Sequence, residues 1–211
     1  MYVLTGCAGS GTGWASILMT QLGSPCGHED VYTHLGRVSA GELAGDSSWY
    51  AVPLVAREEP SVCLMRNPLT VVRSLTRLQA FHNLAYYSAG YYLRHIPEIG
   101  AAVDALGRAI RYTAWWDRDV AERLPIFRVE DTEPANIATL FGYLTGRHPE
   151  VDIGDTLAQV GTSVNSHGGD RSTITWEQVR DHPDGDLLVA KAQRFGYPTE
   201  DGNDGELAAA T

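Results

Sequence analysis

At 211 residues, 44% hydrophobic and 20% charged, the chain has the composition of an ordinary globular protein, long enough to bury a sizeable core. Its net charge of −10, part of it carried by Glu200, Asp201, Asp204 and Glu206 near the end, excludes a broad basic face for nucleic acid or anionic lipid. An anionic ligand must then be met by a few concentrated arginines. Cys7, Cys26 and Cys63 lie in or beside apolar runs without metal-ligand spacing and read as reduced core residues. No charged segment leads into an apolar one and no run is long enough to span a bilayer, which predicts a cytoplasmic protein without a membrane partner.

The first predicted element is the apolar run at Tyr2–Thr5. A glycine-rich loop follows, TGCAGSGTGW from Thr5 to Trp14, and then helical spacing from Thr12 to Leu22 through Trp14, Ile17, Leu18 and Leu22. Strand, glycine loop and helix in that order point backbone N–H groups at an anion. The loop amides and the hydroxyls of Ser10, Thr12 and Ser16 suit a phosphate-like group. A nucleotide-hydrolysing loop would carry a lysine at this place; here the sequence reads Gly11-Thr12-Gly13, and the one lysine of the chain is Lys191. After the first helix, CGHED offers His28, Glu29 and Asp30 as candidate bases. GDSSWYAVP then offers Asp46 and Ser48, with Asp46 read as the N-cap of an apolar helix.

The second strand is Ser61–Met65. It ends in Arg66, where an Asp for magnesium would stand in a nucleotide hydrolase. Asn67 caps the next helix, Pro68 suits its first position, and Leu69, Val72, Leu75 and Leu78 predict its buried stripe. Ser74 lies about two turns in. A long helical segment rich in Tyr and Trp is predicted from Gln79 to Arg123. Within it Phe81, His82, Tyr86, Tyr87, Tyr91 and Tyr92 read either as core or as the lining of an acceptor pocket. The third strand, Pro125–Val129, ends in Glu130 and Asp131, read as a metal pair or as a structural link in which Asp131 or Thr132 fixes the helix that follows. From Glu150 to Thr173 the pattern fades into Gly, Ser, Asn and Asp. Helical spacing returns at 176–180 and 187–195, and the chain from Thr199 reads as disordered. Strands alternating with helices predict an α/β fold: one domain over 1–198, a parallel sheet flanked by helices, and an acidic tail over 199–211.

GSGTGW at Gly9–Trp14, followed by MRNPLTVVRS with Arg66, Pro68, Val71 and Ser74, resembles the sulfotransferases that use 3′-phosphoadenosine 5′-phosphosulfate. The likeness runs in order through roughly the first 130 residues, with GHEDVY, GDSSW and FRVED as further stations, and more loosely to Tyr197. It implies a fold like that of the P-loop nucleotide hydrolases, with Gly9, Ser10, Gly11, Thr12, Gly13 and Trp14 around the 5′-phosphosulfate. It also implies Arg66 and Ser74 at the 3′-phosphate, and a late loop with Gly168, Gly169 and Arg171 closing over the nucleotide. His167, in the same loop, reads as solvated. The reaction implied is transfer of a sulfuryl group to a hydroxyl or amine of a small acceptor, yielding adenosine 3′,5′-bisphosphate, with Glu29 as base and His28 as its competitor; Asp46 or Ser48 would orient the acceptor. The chain departs from the family at Gly9, where the loop has a lysine or arginine that stabilises the leaving oxygen. Either Arg37 or Arg171 supplies that charge, or the enzyme is slow, or the protein binds the nucleotide without turnover; a P-loop kinase is the third reading of the function.

Overall fold

A computed structural model describes residues 1–56, 59–78, 81, 87–161 and 173–201. In chain order, β1 (Tyr2–Gly6), α1 (Thr12–Gln21), β2 (Cys26–His28), β3 (Tyr32–Thr33), β4 (Gly36–Arg37), β5 (Gly45–Ser47) and β6 (Ser61–Met65) come first. Three helices follow, α2 (Pro68–Arg77), α3 (Tyr87–His95) and α4 (Ala105–Trp115). Then come α5 (Arg118–Ala121), β7 (Ile126–Arg128), α6 (Pro134–Thr145), α7 (Ile153–Val160), α8 (Trp176–Asp181) and α9 (Gly185–Arg194). The residues fall into two compact units, Met1–Arg66 with Trp116–Asp170, and Asn67–Trp115 with Arg171–Thr211.

The first unit is α/β. Its five-stranded sheet has the order β2-β5-β1-β6-β7 and every pairing is parallel, as the alternation of strands and helices predicts. Alternate residues of the central strands, Tyr2, Leu4, Val62, Leu64 and Phe127, point to one face. They meet Trp14, Leu18 and Leu22 of the first helical stretch and Ile137, Leu140, Phe141 and Leu144 of α6. Burying a side chain such as Leu18 or Leu4, both 0% exposed, contributes about 1.5–3 kcal/mol, so this layer fixes where α1 starts relative to β1. The opposite-face residues Val3, Thr5 and Cys63 are fully buried as well. The three cysteines are buried and none is in a disulfide, as their settings predict.

The second unit is helical among its described residues. Asn67 accepts a hydrogen bond from the Leu69 N–H and Pro68 opens α2, as expected; Leu69, Val72 and Leu75 are buried, while Leu78 falls outside the stripe and is exposed. The predicted long helix of 79–123 is instead broken into α3, a 3-10 turn at Pro97–Ala101, α4 and α5. Pro97 has no amide hydrogen to continue α3, and the end of the segment belongs to the first unit. Phe81, Tyr92 and Tyr112 pack with ring centroids 5.1–5.5 Å apart, which places these aromatics in the core of this unit. Lys191 is buried, its Nζ donating to the Thr113 carbonyl at 2.6 Å.

Candidate functional site

Because all five strands run the same way, their carboxyl ends at Gly6, His28, Ser47, Met65 and Arg128 lie along one edge of the sheet. The chain leaves β1 for β2 on one side and later crosses to β6 on the other, so β1 marks the point at which the strand order reverses. Open parallel sheets hold their ligands in the crevice outside such a point. The glycine loop stands there, followed directly by α1.

The loop turns tightly. The Ser10 N–H donates to the Cys7 carbonyl at 3.0 Å, and Gly9 is in the left-handed region with φ +85. The Cys7 thiol donates to Oδ2 of the buried Asp117 at 3.3 Å. Nothing in the sequence links that pair, 110 positions apart. Gly11 caps α1 without a side-chain bond, and no acidic residue stands in the first turn. The amides of Thr12, Gly13 and Trp14 therefore start the helix with no i−4 carbonyl and no capping side chain, the arrangement in which a helix start attracts an anion. Ser10 Oγ is buried and has no hydrogen-bond partner among the described residues. It lies inside the turn, where a Cβ on Gly6 would come within 2.7 Å of it and within 2.4 Å of the Leu64 carbonyl oxygen. An orphaned buried hydroxyl is costly unless something satisfies it, and an oxyanion cradled by the loop would do so. The loop thus fits a phosphate or sulfate group.

Two other candidates stand beside the loop. Arg66, just past β6, is half-buried and its Nη1 donates to the Gly9 carbonyl at 3.2 Å. On the opposite flank His28 ends β2, its Nε2 lying 3.4 Å from Thr12 Oγ1 and 3.6 Å from Glu29 Oε1. Glu29 is the one non-glycine residue with positive φ, +63, among those described. That conformation costs of order 1–3 kcal/mol and concentrates at functional sites. Burial pushes its carboxyl above the usual carboxylate range; His28 and a hydrogen bond from Trp49 pull the other way, Asp46 and Asp30 add to the rise.

Asp46 is part of the frame. It lies on β5, fully buried, and accepts the N–H of Tyr32 at 2.9 Å and of Asp30 at 3.2 Å, which holds the turn after β2 in place. It caps no helix, contrary to the sequence reading: that cap is Ser48, whose hydroxyl accepts the Tyr50 N–H, donates to the Tyr32 carbonyl and opens only a 3-10 turn at Trp49–Ala51. Ser16 donates to the Cys26 carbonyl at 2.8 Å, and Trp14 packs in the hydrophobic core beneath the loop. Arg37 pairs with Glu59 over the Tyr32 ring. Asp131 closes a turn through its N–H to the Arg128 carbonyl, and α6 starts from Glu133 without a side-chain cap, so neither Asp131 nor Thr132 fixes it. Among the described residues, no three of His, Cys, Asp and Glu are grouped to hold a metal ion. Ser74 lies half-buried on α2 in the second unit. His82, Tyr86 and the late-loop candidates His167, Gly168, Gly169 and Arg171 lie outside the described residues. No described helix is long and apolar enough to cross a membrane. Comparison of the chain with protein-family models, with curated proteins and with solved structures finds no match.

Proposed function

We propose that the protein is a sulfotransferase of the P-loop-like kind, taking a sulfuryl group from 3′-phosphoadenosine 5′-phosphosulfate to a hydroxyl or amine of a small acceptor. The observation that carries the reading is the composition of the sheet edge. An uncapped helix start with an orphaned Ser10 hydroxyl is flanked by an arginine on one side and by a histidine–glutamate pair on the other. A nucleotide hydrolase or kinase would want a lysine in the loop and a carboxylate after β6; this chain has Gly11-Thr12-Gly13 and Arg66 in those places.

In this reading the amides of Thr12, Gly13 and Trp14 and the hydroxyls of Ser10 and Thr12 hold the 5′-phosphosulfate. Arg66 supplies positive charge beside the loop. The donor supplies an activated sulfur: the acceptor atom bonds to it as the bond from sulfur to the 5′-phosphate oxygen breaks, leaving adenosine 3′,5′-bisphosphate. Glu29, or His28 beside it, accepts the acceptor's proton. The raised pKa of Glu29 suits that task, because a base works best when its pKa approaches the working pH. The strained backbone at Glu29 and the Asp46 bonds under it hold the carboxylate at the strand edge.

A binding protein without turnover is the second reading, favoured by Gly9. A lysine or arginine there would have to adopt φ +85, a strained conformation for any side chain. Transfer from sulfur-labelled donor to a panel of phenols, alcohols and amines separates the two. The wild-type protein should transfer label, and Glu29→Gln should lower the rate about 10²–10⁴-fold with little change in bisphosphate affinity. Binding without transfer to any acceptor favours the second reading, and full transfer by Glu29→Gln with none by His28→Ala moves the base to His28.

A further inference from the structure

The glycine loop receives no positive charge from its own segment. Neither Thr5–Trp14 nor α1 contains a lysine or arginine, and α1 has no charged residue at all. Yet the start of α1 is uncapped, and the Ser10 hydroxyl is buried without a hydrogen-bond partner among the described residues, two features that suit an anion. His28, the last residue of β2, reaches the loop at this helix end. Its Nε2 lies 3.4 Å from Oγ1 of Thr12, the first residue of α1, and 3.6 Å from Oε1 of Glu29. Both distances exceed the usual range of an N–H···O bond, so neither contact holds the ring nitrogen closely. The side chain is 42% exposed and open to a ligand.

The other titratable groups around the ring are acids. Glu29 stands beside it, Oδ2 of Asp30 accepts the His28 N–H at 3.0 Å, and Asp46 lies on the neighbouring β5. Cys26, on the same strand, is pushed up to about 12 by burial and stays a thiol. With a neutral imidazole, an anion in the loop would meet three carboxyl groups on this flank and no charge to offset them. Imidazole is the side chain that ordinarily gains its charge between pH 8 and 5. We infer that His28 meets the anion of the loop as an imidazolium, so that anion and proton are taken up together. For the transfer reaction this rests on the donor reading above and leaves Glu29 as the base. The acceptor atom bonds to sulfur and gives its proton to Glu29. The bond from sulfur to the 5′-phosphate oxygen breaks with its electron pair on that oxygen, and His28 keeps its proton and offsets the charge gathering there.

Calorimetry on the full chain, in two buffers of different ionisation enthalpy, counts the protons taken up on binding. The probes are inorganic sulfate and adenosine 5′-phosphosulfate, neither of which titrates between pH 6 and 8. Wild type should take up protons, and its affinity for both probes should fall as pH rises, by at most about tenfold per pH unit, the limit for one linked proton. His28→Gln, which keeps a donor without the charge, should bind about tenfold more weakly at pH 6, the low end for a hydrogen bond to a charged group, with no uptake. His28→Lys should bind well with no pH dependence, an outcome that a merely structural histidine would not give. Glu29→Gln should retain the uptake; because burial raises the Glu29 carboxyl, uptake lost in this variant and kept in His28→Gln would assign the proton to Glu29 and overturn the inference. Binding by His28→Lys as weak as that by His28→Gln overturns it too, as does wild-type affinity that ignores pH. Melting curves identify a variant that fails to fold, and the remaining His28 variant then decides. Sulfate bound with proton uptake but no nucleotide bound would refute the donor reading and leave the role of His28 in the loop intact; neither probe bound would refute both.

Discussion

Glu29 is the residue where conformation, electrostatics and proposed chemistry meet. Its φ of +63 is paid in backbone strain, and burial raises its pKa, so the folded state binds its proton more tightly than the unfolded chain does. The sign follows from linkage. The stability it contributes is complete below the unfolded value and is lost as pH rises through the raised folded value. Asp46 is shifted the same way, by burial that outweighs the N–H groups it accepts, but it is common to wild type and variant. Denaturant midpoints should therefore fall with rising pH more steeply in wild type than in Glu29→Gln, over the window that opens at the ordinary glutamate value near 4.5. Parallel curves would mean that Glu29 titrates in the folded protein as it does in the unfolded chain. If Glu29 is the base, the transfer rate should rise through that same raised value, because only the ionised carboxylate accepts a proton.

At the scale of elements, the sequence showed those whose signals are local. β1, α1, β6, α2 and α6 each combine an apolar run or stripe with a glycine, asparagine or proline at the boundary, and each stands within a few residues of its expected place. β2 and β5 lacked such a signal: Cys26–His28 and Gly45–Ser47 are three-residue strands of small and polar side chains, formed by pairing with each other and with β1. α7 lies where the sequence pattern fades. Its apolar residues Ile153, Leu157 and Val160 are correctly spaced, but they are diluted by Gly and Asp, and Asp152 caps the helix through the Asp155 N–H at 2.8 Å. Of the site, the loop, Arg66, His28 and Glu29 were legible, because each carries chemistry in its own type and lies next to a strand end. The frame below them was not, since Cys7–Asp117 and the Asp46 bonds join segments distant in sequence. Gly27 tests that frame: a Cβ there would lie 2.7 Å from Asp46 Oδ1 and 2.8 Å from Asp30 Oδ2. Gly27→Ala should destabilise the protein by about 1–3 kcal/mol in chemical denaturation, the usual cost of overpacking. An unchanged midpoint would show that the two carboxylates yield freely and do not fix the turn that carries Glu29.

For the whole molecule, an acidic chain concentrates its few useful cations. Its single lysine is buried on the Thr113 carbonyl, Arg37 is paired with Glu59, and Arg66 is the described arginine that contacts the glycine loop. Such a surface favours a small anionic ligand held in one crevice over a polyanion spread across a face. The parallel sheet of the first unit gathers five strand ends along one edge, where the glycine loop, Arg66, His28 and Glu29 stand. The central claim is that the crevice holds a 3′,5′-phosphorylated adenosine rather than a nucleoside triphosphate with magnesium. Thermal shift measures it most directly, with adenosine 3′,5′-bisphosphate and ATP–magnesium compared at equal concentrations. A ligand at about 100 times its Kd stabilises by about 2.7 kcal/mol, which for a chain of this size is a rise of roughly 5–10 °C in Tm. The account predicts that rise for adenosine 3′,5′-bisphosphate and little or none for ATP–magnesium; a rise with ATP–magnesium alone, or with neither, would contradict it.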